Sequence, residues 1–342
     1  MTSSLLTPAA TSLRRLSDEP ILTPRAKFTW ERGACLNSAV AYENDTWYLL
    51  YRAIDHDPSW AQDNNAGMRY QSSVGLATSR DGIRFDRQDE PIIPVGFFGG
   101  NTEAQDCRIT KIDGTYYLVY CLYDCAEGIP TVGYSTSSDM KKWTHHGKLV
   151  SFEQFGFNKN GTLFPRKING RFALLHRPEC LDYLSLPGGE FNWRTWSRGP
   201  LTPEVQAPGV TISFSEDLQH WTDTKVLLEP RAGEWDSVKV GPGAPPIETP
   251  QGWLNVYHGV DENHVYRLGL ALHDLDDPTI VLKRQIECFH EPQLDWELKG
   301  DVDGAIFTCG AALKDTTLRV YYAGADTVLG VGEADVASFL EG

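Results

Sequence analysis

WYLLYRA at Trp47–Ala53 decides the fold, because the same kind of phrase returns four more times. The others are YYLVYC at Tyr116–Cys121, RFALLHRP at Arg171–Pro178, GWLNVYHGV at Gly252–Val260 and LRVYYAGAD at Leu318–Asp326. Each is an aromatic and aliphatic run that reads as a strand. A second, smaller-residue strand follows each: VGLATSRDGIRF from Val74, VGYSTSSDMKKW from Val132, VTISFSEDLQHW from Val210, YRLGLALHDLDDP from Tyr266 and VLGVGEADVASF from Val328. Most close on an Asp-centred turn. Repeats roughly 55 to 80 residues apart suit one propeller blade each. The expected fold is all-β, a five-bladed β-propeller with a central active-site pocket. A single blade cannot bury both its faces, so the 342 residues are expected to close into one domain.

The blades are expected from about Pro20 to Glu90, then to Leu149, Leu228 and Arg284, with the fifth ending the chain. Residues 1–20 read as an N-terminal extension, mobile or an oligomer contact, ahead of a catalytic domain at 21–342. The same segment is the candidate to close the outer edge of the fifth blade. Asp182–Pro208, rich in Gly, Pro, Trp and Arg, is a long insertion of the kind that forms lids or partner contacts. Tail and insertion are the candidate contacts of a homo-oligomer. Helix is expected only near Ala334–Leu340.

Composition excludes several functions. No run of eighteen apolar residues is present, so a membrane span is not expected. The first twenty residues lack the apolar core of a signal peptide, which points to the cytoplasm. Seven cysteines, an odd number at irregular spacing, read as free buried thiols. Cys121 and Cys125 have no matching second pair, so structural zinc is not expected. A formal net charge of −15 disfavours nucleic acid and anionic membranes. It also means that any anion pocket must gather its positive charge locally.

Polar segments precede the first-strand phrases: Arg32–Ser38, Asn101–Thr110, Asn158–Pro165 and Trp235–Pro246. These are the candidates for the innermost strands, which line a propeller's channel. Asp106 is the leading acid, although a turn Asp capping a backbone N–H would look the same. Strand alternation puts Arg108 on its face as a candidate salt-bridge partner. Lys159, Arg177, Lys239 and His258 are the basic candidates. Arg177 and His258 end matching strands in neighbouring blades. Each alone suits a structural role; together, in so acidic a chain, they suggest an anion pocket. Tyr266 and Trp193 are candidates to stack on a sugar ring. No P-loop, dinucleotide fingerprint, HExxH or GxSxG is present, and Asp274–Asp277 lacks the Gly and Glu of a calcium loop. Neither metal nor cofactor is expected.

The phrases QDCRIT with GTYYLVY, LFPRKINGRFALLHRP, KVGPGAPPIETPQGWLNVYHGV, YRLGLALHDLDDP and IFTCGAALKDTTLRVYYAGADT resemble glycoside hydrolase family 130 from about Asn37 to Thr327. The resemblance implies phosphorolysis: phosphate attacks the anomeric carbon of a nonreducing β-mannoside with inversion and releases α-mannose 1-phosphate. Asp106 then resembles the general acid, acting through the sugar 3-hydroxyl. Lys159, Arg177, His258 and Tyr266 fall where the phosphorylases bind phosphate. Asn37, Arg52, Arg69, Lys239 and Asp326 fall where the mannose and its surroundings are held. Two departures, Gln105-Asp106-Cys107-Arg108 for the usual Glu-Asp-Pro-Arg and Asn160 for the usual Asp, make the acid's neighbourhood less negative. The substrates implied are a β-linked manno-oligosaccharide and inorganic phosphate. The other readings are an inverting β-1,2-mannosidase with a base such as Glu179, and a non-catalytic carbohydrate-binding propeller.

Overall fold

The computed structural model describes residues 11–56, 70–124, 129–155, 157–179 and 209–341. Five small antiparallel sheets follow one another along the chain. Blade one is β2 (Ala34–Glu43), β3 (Thr46–Ile54), β4 (Ser72–Ser79) and β5 (Asp86–Arg87). Blade two is β6 (Thr102–Ile112), β7 (Thr115–Asp124), β8 (Ile129–Ser137) and β9 (Thr144–Lys148). Blade three, after the short helix α1 (Phe152–Phe155), is β10 (Phe157–Leu163), β11 (Phe172–Glu179), β12 (Val210–Ser215) and β13 (Thr222–Leu228). In blade four, β14 (Lys239–Pro242) and β15 (Ile247–Thr249) both pair with β16 (Gly252–Val260), followed by β17 (Tyr266–His273) and β18 (Val281–Arg284). Helix α2 (Asp295–Leu298) leads into blade five: β19 (Ile306–Lys314), β20 (Thr317–Gly324) and β21 (Val328–Asp335), with α3 (Ala337–Glu341) after it.

The fourth strand of blade five is β1 (Arg14–Arg15), with Arg14 opposite Glu333 and Arg15 opposite Gly332. Residues 11–20 are therefore no loose tail. Leu13 is buried in the core shared by blades four and five, and Arg15 pairs with the buried Glu297 at 2.6 Å. Five apolar cores fill the five seams between neighbouring blades, and the one joining blade five to blade one closes the ring. The expected single ring of sheets is what forms.

The repeated phrases are the second strands, β3, β7, β11, β16 and β20. Their shared logic is a large ring opposite a missing side chain. Tyr51, Tyr120, Tyr257 and Tyr322 face Gly75, Gly133, Gly269 and Gly330 across the ladder. A Cβ on Gly75 would fall 2.3 Å from Tyr51 Cζ, and one on Gly269 2.5 Å from Tyr257 Cζ. Only glycine lets the ring lie flat there. Blade three departs: His176 faces Thr211.

The polar segments before these phrases become the innermost strands, as expected. β19 and β6 flank β2, and β10 stands between β6 and β14. A fifth inner strand, β19, was not among the segments singled out. Each inner ladder is interrupted at the same level. Bulges fall between Leu36 and Ala39, Gln105 and Arg108, Asn158 and Gly161, and Thr308 and Gly310. In blade four Gly243–Pro246 separates β14 from β15. A bulge adds unpaired residues to one strand and re-aims their side chains. Here the re-aimed residues include Asn37, Asp106 and Lys159.

Candidate active site

Asp106 sits in the β6 bulge with φ 54°, and Asn37 in the β2 bulge with φ 45°. Left-handed backbone at non-glycine residues is held only where its surroundings dictate it. The two side chains meet, Asn37 Nδ2 donating to Asp106 Oδ1 at 2.7 Å. Arg52, from β3, reaches the same oxygen at 3.3 Å and donates through Nε to Ser72 Oγ at 2.9 Å. All three are buried. Burial pushes the Asp106 carboxyl up, but Arg52, Lys159 and the Asn37 bond outweigh it and hold it below the usual carboxylate range.

Arg108 does not pair with the Asp106 carboxylate as strand alternation suggested. The bulge breaks that alternation. The Arg108 guanidinium, fully buried, donates instead to three main-chain carbonyls: Asp106 at 2.8 Å, Gly243 at 2.8 Å and Pro242 at 3.0 Å. It ties the acid-bearing bulge to the break between β14 and β15, and lies 5.7 Å from the Phe307 ring.

Three of the basic candidates, Arg177, His258 and Lys239, gather round one another. Arg177 Nη1 donates to His258 Nε2 at 2.9 Å. With its amide oxygen turned towards Arg177, Asn160 accepts from both guanidinium nitrogens at 3.0 and 3.2 Å. Because an arginine only donates, His258 Nε2 is the acceptor and the ring proton is on Nδ1. That Nδ1 is buried without a hydrogen-bond partner among the described residues. Burial, with Arg177, Arg108 and Lys239 nearby, pushes His258 well below the ordinary histidine range. It is a neutral donor and not one of the cations. His258 stacks near Tyr266, ring centres 6.3 Å apart, and Lys239 Nζ lies 4.9 Å from the centre of the Tyr266 ring.

Asp326 comes from the turn between β20 and β21, where Ala325 and Asp326 both have positive φ and Thr327 N donates to Gly324 O at 3.0 Å. Its carboxyl is pushed up to about 7 by burial and by Asp106 and Asp301. Two carboxyl groups of one site are thus driven apart, one ionised and one near its midpoint at neutral pH.

The ring therefore brings Asn37, Arg52, Asp106, Lys159, Arg177, Lys239, His258, Tyr266 and Asp326 together from five blades. Arg69 and Trp193 lie outside the described residues, as does the side chain of Glu179. Cys35, Cys107, Cys121 and Cys309 are free and buried, and Cys288 is free and half-buried; burial pushes the Cys121 thiol up to about 12. No helix among the described residues is long and apolar enough to cross a membrane.

A model of glycoside hydrolase family 130, described as beta-1,4-mannooligosaccharide phosphorylase, matches residues 37–341. The chain belongs to glycoside hydrolase family 130. A 1,2-beta-oligomannan phosphorylase of Thermoanaerobacter sp. (strain X514) is 39% identical over 320 residues, 93% of this chain and 96% of that protein. A beta-1,2-mannobiose phosphorylase of the same strain is 37% identical over 325 residues, again 93% and 96%. The solved beta-1,2-mannobiose phosphorylase of Listeria innocua, in complex with beta-1,2-mannobiose, superposes with a TM-score of 0.77 at 27% identity, covering 96% of this chain and 98% of that one.

Reading the sequence missed Asn160 and Phe307 as parts of this family 130 site. Asn160 was noted only as a departure. Phe307 lies 4.5 Å from the His258 ring centre; its signal was the phrase IFTCG, which occupies in blade five the place of the polar segments in the other blades.

Proposed function

We propose that this chain is an inverting mannoside phosphorylase that cleaves a nonreducing β-mannoside with inorganic phosphate and releases α-mannose 1-phosphate. The observation that carries the reading is the buried Asp106 carboxylate, bonded to Arg52 and Asn37 and held low with the help of Lys159 and Arg108, in a site that also gathers Arg177 and His258. An inverting hydrolase needs a base about 6.5–9.5 Å from its acid to activate water. Phosphate is already an anionic nucleophile and needs none. It needs cations that draw it into an acidic protein and hold one oxygen in line with the anomeric carbon.

In this reading Lys159 and Arg177 supply charge, and the neutral His258 and Tyr266 supply hydrogen bonds. Asn37, Arg52, Lys239, Asp326 and Arg69 hold the mannose. Asp106 is the acid, delivering its proton to the leaving oxygen through the sugar 3-hydroxyl. Arg52 and Lys159 keep Asp106 ionised until an arriving anion shares their charge, so nucleophile binding and proton uptake by the acid are coupled. The two relatives at 39% and 37% identity act on β-1,2-linked mannosides by name, which favours that linkage over the β-1,4 linkage in the family description. The free thiols favour the cytoplasm, and the net charge of −15 disfavours nucleic acid and anionic membranes.

The test is incubation with β-1,2- and β-1,4-mannobiose, with and without phosphate. Mannose 1-phosphate is expected from the β-1,2 substrate only when phosphate is present; free mannose formed without phosphate would end the reading. Asp106→Asn should lower turnover by about 10²–10⁴-fold with the fold intact.

A further inference from the structure

The geometry points to His176 as a positioning residue for the phosphate ligands of blade three, acting through the Asn158 side chain on the main chain of Arg177. The inference rests on the phosphate reading above.

Arg177 sits at the bulge of the β10–β11 ladder. The β11–β12 ladder ends with His176 opposite Thr211. On the other side, pairing with β10 jumps from Asn158 opposite Pro178 to Gly161 opposite His176. Arg177 falls in both gaps. Its backbone N–H donates to Asn158 Oδ1 at 3.3 Å. A side chain thus does there what a neighbouring strand does elsewhere.

Asn158 is fixed in turn. Its Nδ2 donates to His176 Nδ1 at 2.7 Å. His176 Nε2 meets Ser213 Oγ at 2.9 Å, and Ser213 Oγ meets Thr224 Oγ1 at 2.9 Å. Asn158, His176 and Ser213 are all buried. An amide donor at Nδ1 requires that nitrogen to be bare, so the ring proton is on Nε2 and points to the serine. Burial keeps the ring neutral, which this arrangement needs. The relay runs from the outer strand β13 to the strand segment that carries Arg177, and Asn158 directly precedes Lys159 in the bulge.

The repeat shows that this is a departure with a purpose. The other four blades carry tyrosine at this position, over glycine. A tyrosine has one polar atom, at its tip, and that tip points away from the inner strand in every case: to Glu31, Ser135, Asp236 or Glu297. Imidazole has a second nitrogen near the backbone. It alone can grip the outer serine and the inner asparagine at once. The smaller ring also makes room for Thr211 in place of glycine.

The experiment measures KM for phosphate and for β-1,2-mannobiose, with melting curves, in His176→Gln, His176→Asn and Arg177→Ala. Glutamine keeps a donor for Ser213 but has no acceptor near the backbone; asparagine puts its amide oxygen near the place of Nδ1. His176→Gln is expected to raise the phosphate KM about tenfold while the mannobiose KM stays within about twofold, and His176→Asn to recover most of that loss. The double variant His176→Tyr/Thr211→Gly, which installs the pair used by the other four blades, should fold and show the same selective loss. An unchanged phosphate KM in His176→Gln and in the double variant, or both KM values rising together, overturns the inference. Arg177→Ala separates the two levels. If it leaves the phosphate KM unchanged, the phosphate reading itself fails; if it raises that KM while the His176 variants do not, only the positioning role falls.

Discussion

Blades one, four and five bury a carboxylate at the level where blades two and three bury a hydroxyl. Tyr51 donates to Glu31 at 2.7 Å, Tyr257 to Asp236 at 3.1 Å and Tyr322 to Glu297 at 2.9 Å. Each carboxylate is also held by arginine: Glu31 by Arg25 and Arg87, Asp236 by Arg231 and Arg284, Glu297 by Arg15. In blades two and three, Tyr120 and His176 meet Ser135 and Ser213 instead, both at 2.9 Å. The third strands record the choice: Ser135 and Ser213 stand where the other blades have Ala77, Ala271 and Gly332. The carboxylates come from the segments leading into the inner strands and clamp those segments to the middle strands. At this level blades two and three, which carry Asp106, Lys159 and Arg177, use neutral groups. A buried polar group acts strongly on its neighbours. With neutral groups at that level behind them, Asp106 and the cations answer to the charges inside the site, Asp326 among them.

That contrast can be broken most forcefully in blade four. Asp236→Ala takes from Arg231, Arg284 and the Tyr257 hydroxyl the buried carboxylate they share, and should cost about 3–5 kcal/mol in urea unfolding. Ser213→Ala, its counterpart in blade three, should cost only about 1 kcal/mol. Equal losses would show that the two kinds of blade do not differ. Next in size is Gly269→Ala, whose new methyl would press on the Tyr257 ring; about 1–3 kcal/mol is expected in the same measurement.

Blade five sharpens the comparison, because it holds a carboxylate of each kind. Burial raises the Glu297 carboxyl, but Arg15 and two backbone amides outweigh it and bring it below the ordinary range. Its stabilisation is complete above the unfolded value and is lost as pH falls through the folded one. Asp326 is raised, to about 7. Ionising it therefore costs stability as pH climbs from the ordinary carboxylate range towards 7, and the cost is complete above that. Asp326→Asn should melt later than the parent at about pH 8, by more than about 1 kcal/mol, and show no such gain at about pH 4. A gain of the same size at both would remove the titration argument. The smallest effect is expected from Thr211→Val. The Thr211 hydroxyl is buried with no partner among the described residues, so an isosteric methyl should be neutral or stabilise by a few tenths of a kcal/mol; a loss above about 1 kcal/mol would mean that hydroxyl is bonded.

The propeller was readable because strand phrases such as LLYRA, LVYCL, LLHRP, NVYHG and VYYAG line up by eye, and polar runs mark where inner strands begin. Pairings inside the site were harder. The β6 bulge turns Asp106 away from Arg108 and towards Arg52, a residue 54 positions earlier in another blade. Alternation along one strand carries no trace of such a bulge. His258 read as a cation because protonation depends on surroundings that only the folded ring creates. Arg14–Arg15 showed no strand pattern at all, since two charged residues on a sheet edge need neither alternation nor apolar character.

That edge bears on how the ring is assembled during synthesis. Sheets one to four can each form from contiguous chain as it emerges. The fifth cannot, because Arg14 must wait for Glu333. The loop-closure entropy of almost the whole polypeptide is then met in one late step. Until it is, β21 presents an unsatisfied row of backbone amides and carbonyls, and the nascent molecule is at its most exposed to pairing with a neighbour's strand.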